Sequence, residues 1–316
     1  MSDSLWKTRK KHIADFAAFG RAMIVNGDID PQFWVLRALY TNQRFDLNMA
    51  LWYSAVYLVF YHLGSATKAW QLYPQPMMIR KKDWDPKIAF FKQRRNLRAN
   101  NDDARKQLNE LMKRSDGDLA GWVMSAAGVG GEEGWTLARE QIGSLHQHGP
   151  WSSYKWCDML KFVHRLPITA PDIGNKPGAT AGPIAGLATL LGVERKTVAN
   201  DLQLPRDLLK CVVEEHGMPA IGLDHLESVL CDYQSLRNGR YYVGHDIDRD
   251  LSQLLSSDVR DETWWLLWRA RKRIFDRRLL GEVNGWDGPR NALKTAYRDR
   301  ERLINVYEDV KEVTLL

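Results

Sequence analysis

The residue types best placed for chemistry in this chain lie between Leu145 and Gly174. Asp172 sits in "LPITAPDIG", after a proline and among small residues that can leave a carboxylate open to a cleft. Such an Asp serves as a general base or steadies developing positive charge; the plainer reading is a cap for a helix starting at Ile173. Upstream, "LHQHGPWSS" places a tight turn at His148-Gly149-Pro150 with a helix directly behind it. Pro150 suits a first helical turn, where its missing N–H has no partner to lose. Gly149 can adopt backbone closed to other residues and admit a close neighbour. A helix opening on bare N–H groups behind a small residue is a ready phosphate site, although any turn between core helices reads the same way. Lys155, one turn along, could reach such a phosphate or be a solvated lysine. His146 and His148 form a His-x-His without a third ligand, so turn histidines are expected there rather than a metal. "GHDIDRD" (244–250) alternates three acids but lacks the rest of a calcium loop, which favours capping or ion pairs. "GVGGEEG" (128–134) lacks the Lys-Ser/Thr of a P-loop and reads as a loop. No Gly-x-Ser-x-Gly elbow or Ser/His/Asp pattern is present.

Helices must position these residues. Apolar residues recur at helical spacing over 5–25, and Asp30-Pro31 opens a second helix. From Met49 to Leu63 the pattern is apolar nearly all round, which predicts a helix at the centre of the core. Further helices are expected at 102–114, 118–127, 135–145, 195–215 and 222–236, and "YYV" (241–243) is the best candidate for a short strand pair. The fold expected is mainly α: a helical core over 1–200 and a mostly helical C-terminal region over 201–316 packed on it.

Charge is unevenly spread over the 316 residues, whose net charge is +6. Residues 75–114 hold 12 Lys or Arg against 5 acids, and 264–302 hold 11 against 5. Between them, 201–262 reverses to 13 acids against 6 bases. Two basic blocks around an acidic one fit a footprint for a polyanion, or solvated helix faces. Trp84, Phe90 and Phe91 lie among the cations of the first block, a mixture suited to phosphate contact with stacking. Thirteen Trp are unusual, and Trp outside a core often sits at binding surfaces. Three widely spaced cysteines make no disulfide framework or zinc motif. The basic start lacks a signal peptide's apolar stretch, and no run is long enough to span a membrane.

The turn and the Asp loop together resemble the helix-hairpin-helix and following loop of the DNA glycosylase superfamily. Gln147 replaces the first hairpin glycine of that pattern, His146 its proline, and Trp151 the lysine nucleophile of its bifunctional members. More of the chain resembles the phage amino acid:DNA transferases, also called α-glutamyl/putrescinyl thymine pyrophosphorylases. "RFDLNMALWYSAVYLVFYHLGS", "GPWSSYKWCDML" and "LCDYQSLRNGRYYVGHDID" carry that resemblance. It implies a glycosylase-like helical scaffold, with the hairpin at about 135–165 and the Asp loop at 166–176. The implied reaction replaces pyrophosphate, installed by a 5-hydroxymethyluracil DNA kinase, with the amine of an amino acid. The substrates are duplex DNA carrying modified thymine and the amino acid, in the cytoplasm of an infected bacterium. No other cofactor is implied beyond cations that meet the pyrophosphate charge, whether Lys, Arg or a divalent metal ion. Asp172 and Lys155 become the catalytic candidates. His148, Gly149, Trp151, Ser152, Arg94 and Arg95 become DNA contacts, and Arg44, Asn48, Arg240 and Tyr242 substrate contacts. A base-excision glycosylase and a non-catalytic DNA-binding protein are the competing expectations.

Overall fold

The structure, a computed structural model, describes residues 8–85, 102–174, 181–238 and 240–274. In chain order its helices are α1 (Lys10–Val25), α2 (Pro31–Gln43), α3 (Leu47–Phe60), α4 (Leu63–Leu72), α5 (Asp102–Arg114), α6 (Leu119–Ala127) and α7 (Gly131–Gly143). There follow α8 (Pro150–Phe162), α9 (Ala181–Leu191), α10 (Arg195–Asn200), α11 (Gln203–Glu214), α12 (Leu223–Arg237), α13 (His245–Ser256) and α14 (Glu262–Ile274). The fold is mainly α, as expected. Among the described residues, extended pairing is limited to an isolated bridge between Gly131 and Ile168. No described helix is long and apolar enough to cross a membrane.

Contacts divide the described residues into two units of interleaved segments: those within 8–31 and 170–248 in one, those within 32–169 and 249–274 in the other. The second is built around α3, whose residues from Ala50 to Phe60 are all buried. A helix without a polar face has no side to turn to water, so neighbours cover it all round: α4, α5, α6 and α8 pack against it. Asp46 starts α3 by accepting the Met49 N–H at 2.8 Å, and Tyr61 ends it in left-handed backbone (φ 46°). Trp52, Trp70, Trp135 and Trp156 are among the largest fully buried side chains, so much of the tryptophan content serves the core, at about 3 kcal/mol per large apolar side chain. Trp84 belongs with them. It is 8% exposed and stacks on Tyr73 at 5.5 Å, which removes it from the stacking role its cationic neighbours suggest; Phe90 and Phe91 lie outside the described residues.

In the first unit α9 lies against α12. At Gly186 a Cβ would strike the Leu230 backbone, so only glycine permits this approach. Three local expectations are corrected. "GVGGEEG" is a loop only to Gly130; from Gly131 it is the first turn of α7, with Glu132 and Glu133 favourably placed against the helix dipole. The helix expected over 195–215 is two, α10 and α11, because Asp201 turns back to accept the N–H groups of Gln203 and Leu204 (both 3.0 Å). Tyr241–Val243 forms no strand. Its backbone runs into a turn closed by the His245 N–H on the Tyr242 carbonyl, 2.9 Å.

Candidate nucleic-acid interface and carboxylate loop

The hairpin is α7, the turn 144–149 and α8, the two helices packed on each other. The turn is fixed from within by His148 N–H on the Leu145 carbonyl, 3.1 Å. From α5, Glu110 accepts the His146 N–H at 2.8 Å and the Gln107 amide donates to the Gln147 side-chain oxygen at 3.3 Å. The left-handed residue of the turn is Gln147, with φ 58°. Gly149, where the freedom of glycine was expected to be used, has ordinary extended backbone (φ −77°, ψ −177°). A Cβ there would meet nothing within 4 Å. What Gly149 provides is therefore an open surface in front of the first turn of α8, not a special conformation.

The side chains of this hairpin divide by exposure. Gly149 is exposed and Trp151 half-exposed, the Trp151 indole meeting the Tyr61 ring edge-on at 4.9 Å. His148 is buried and tilted against Trp156 at 5.5 Å. Burial, with the charge of His146, lowers its pKa to about 4, so it is neutral at pH 7 and offers DNA no charge. Ser152 is buried, its hydroxyl donating to the Gly149 carbonyl at 3.1 Å. Lys155 is not solvated: it is buried, with its ammonium 3.0 Å from Asp158. That follows from position, because α8 is buried continuously from Ser152 to Leu160. Arg94 and Arg95 lie outside the described residues.

Asp172 belongs to the other unit. It is 2% exposed, and its Oδ1 accepts the Gly174 N–H at 2.6 Å. This is a tight turn, and residues 171–174 are not helical. The loop is anchored by Arg206 of α11, which donates to the Pro171 carbonyl at 2.8 Å, and by Ile173, which is fully buried. A carboxylate so held has a fixed direction, as a proton-transfer group needs.

Of the substrate candidates, Arg44 and Asn48 lie in one unit and Arg240 and Tyr242 in the other. Arg44 is exposed, in left-handed backbone at φ 53°. Asn48 accepts the Ala120 N–H at 2.8 Å, which helps cap α6. Arg240 is exposed and Tyr242 half-buried, the latter against His245 at 5.3 Å. Tyr242 lies beside a cluster that the sequence hides. Asp28, which reads as the end of an "NGD" turn, is fully buried and faces Asp246, itself 3.0 Å from His245 Nδ1. A second hidden group is in the other unit, where Ser54 joins Tyr40 (3.0 Å) to His164 (2.8 Å). Neither shows any spacing signal, since each is assembled from distant segments. Cys211, Glu215 and His216 bring possible metal-ligand atoms within 4.8 Å of one another. Arg21 donates to the His216 carbonyl at 2.7 Å, and its positive charge disfavours a cation there.

Fold and side chains together define a class: a mainly helical protein with a braced helix hairpin and a separately anchored, buried carboxylate. The sequence supplies the family. The amino acid:DNA transferase family matches residues 27–242, more than half of the chain, and the chain belongs to that family. It is a transferase that joins an amino acid to DNA. No curated protein matches it.

Proposed function

We propose that the protein acts on duplex phage DNA containing 5-pyrophosphoryloxymethyl-deoxyuridine and replaces the pyrophosphate with the amine of an amino acid, glycine being the first to try. The nitrogen lone pair forms the bond to the exocyclic CH₂, the C–O bond to pyrophosphate breaks, and the ammonium proton passes to a base. The product is a hypermodified thymine. A 5-hydroxymethyluracil DNA kinase would supply the substrate, in the host cytoplasm.

The observation that carries this reading is Asp172, a buried carboxylate in an anchored loop inside the family region. An amino acid at neutral pH is an ammonium and must lose a proton before it attacks. A fixed carboxylate can take that proton, or steady positive charge on the CH₂ if pyrophosphate leaves first. The target carbon projects from a base within the stack, so close access calls for base flipping or local distortion. The open surface at Gly149 and the basic blocks serve to hold the backbone meanwhile.

The test is direct. Pyrophosphorylated duplex is incubated with the protein and single amino acids or polyamines, then digested and its nucleosides weighed by mass spectrometry. A new amino-substituted base with released pyrophosphate supports the proposal. Failure with every amine sinks it, and a free base with an abasic site would instead identify a glycosylase.

A further inference from the structure

Two exposed arginines stand in left-handed backbone just beyond the ends of two helices in the same unit: Arg44 (φ 53°) after α2 and Arg165 (φ 60°) after α8. Both chain reversals are closed by backbone bonds. Phe45 N–H reaches the Tyr40 carbonyl at 3.1 Å, and Leu166 N–H the Leu160 carbonyl at 2.9 Å. At such a position glycine is the comfortable residue, and Asn or Asp can offset the clash of Cβ with local hydrogen bonds. Arginine has neither advantage. A helix C-terminus does favour a cation, but a basic residue inside the last turn obtains that without strain, and α8 already carries Lys161 there.

The two arginines flank a single feature. Tyr40 and His164 stack at 5.7 Å with ring planes 12° apart, and Arg165 follows His164 in the chain. Phe45, next to Arg44, lies 5.9 Å from the Tyr40 ring. Ser54 locks the pair from beneath through both of its hydrogen bonds. Burial lowers the His164 pKa to about 3, so at neutral pH the imidazole is uncharged and the guanidiniums carry the positive charge. Among the described residues neither arginine is paired with a carboxylate. Two exposed cations in left-handed backbone thus stand in the chain beside the residues of one aromatic stack.

We propose that Arg44 and Arg165 hold phosphates of the DNA backbone. This rests on the DNA-acting part of the function above and not on its pyrophosphate chemistry. Other oxyanions of that reaction, the amino acid carboxylate and pyrophosphate, are excluded or admitted by the test.

Arg44→Gly, Arg165→Gly, the double variant and the corresponding Lys variants are titrated with unmodified duplex over a range of salt. Each Gly substitution should reduce the slope of log K against log[salt] by about 0.9, and the pair by about 1.8. The Lys variants should keep the wild-type slope. Because glycine relieves the left-handed strain, the Gly variants should melt at or above the wild-type temperature. An unchanged slope in the double Gly variant overturns the proposal. So does a higher KM for the amino acid, or weaker inhibition by pyrophosphate, with the slope intact; either moves the arginines to that ligand. Transfer activity in the wild type with unchanged slopes would leave the proposed reaction standing and remove the clamp; reduced slopes without any transfer would do the reverse.

Discussion

Asp28 accepts the Tyr241 hydroxyl at 2.8 Å across 213 residues of chain, joining the two ends of the region that the family match spans. The same carboxylate accepts N–H groups from Gly244 (2.6 Å) and Ile247 (3.1 Å), so it caps the first turn of α13 from a distant part of the sequence. Its position is unusual for an acid, fully buried and facing a second carboxylate, Asp246.

Burial, then Asp246, raise the Asp28 pKa from 3.8 to about 7, against the opposing effect of its three hydrogen bonds. The folded chain thus keeps a proton that the unfolded chain releases above about pH 4. The stability this confers is whole below pH 4 and is lost as pH rises through 7, at no more than about 1.4 kcal/mol per pH unit. Asp246→Asn removes the second charge and keeps an oxygen for His245. It should be more stable than wild type at pH 8, by on the order of 1 kcal/mol, with the gain shrinking toward pH 4.5. Urea unfolding at both pH values measures this; a difference independent of pH would show that the two carboxylates do not interact.

Lys155 and Asp158 form a buried pair one turn apart in α8, with side chains 7% and 2% exposed. Removing one partner leaves the other's charge buried with less compensation. Lys155→Met and Asp158→Leu should each cost about 3–5 kcal/mol, and the double variant should recover most of it. Denaturant unfolding of the three variants closes the cycle. A Lys155→Met protein of full stability and weakened DNA binding would give the lysine a role in binding rather than in the fold.

The sequence made the helical class legible because α3 is apolar on every side and α5 and α6 carry their own boundaries: acids in the first turn of α5 and an Asp118 cap on α6. The hairpin helix α8 was legible from Pro150. Which of its side chains face outward was not, because α8 is buried round most of its circumference and has no clear polar face. Thus Ser152, Lys155 and His148, polar by type, lie inside. Asp172 stood out by its setting between Pro171 and Gly174, whereas Asp28 did not: its partners Tyr241, Gly244 and Ile247 lie far along the chain. Local pattern reports caps and periods; it carries no record of a carboxylate buried by tertiary contacts.

Asp172→Asn preserves the shape of the loop, since the Asn carbonyl can still accept the Gly174 N–H. The negative charge and the capacity to bind a proton are lost while the bond to Gly174 is kept. Turnover should fall by about 10²–10⁴-fold, while duplex affinity and melting temperature stay near wild type. Single-turnover rates beside binding isotherms distinguish the outcomes, and parallel losses in rate, affinity and stability would make Asp172 a structural residue.

Gly149 and Gln147 make opposite predictions within one turn. Gln147 holds left-handed backbone at φ 58°, so Gln147→Gly should stabilise the fold by about 0.5–1 kcal/mol, less the weak bond from Gln107. Gly149 has extended backbone and open space where a Cβ would stand, so Gly149→Ala should melt within about 2 °C of wild type. If the first turn of α8 receives a phosphate, however, any side chain at Gly149 stands between the amides and their ligand. Gly149→Ala should then weaken duplex binding, and Gly149→Leu should weaken it more, with neither unfolding the protein. The order wild type, Ala, Leu in affinity at constant stability would mark steric exclusion at a backbone contact. Equal affinity of Gly149→Leu and wild type would take the hairpin off the DNA and leave the backbone to be held elsewhere.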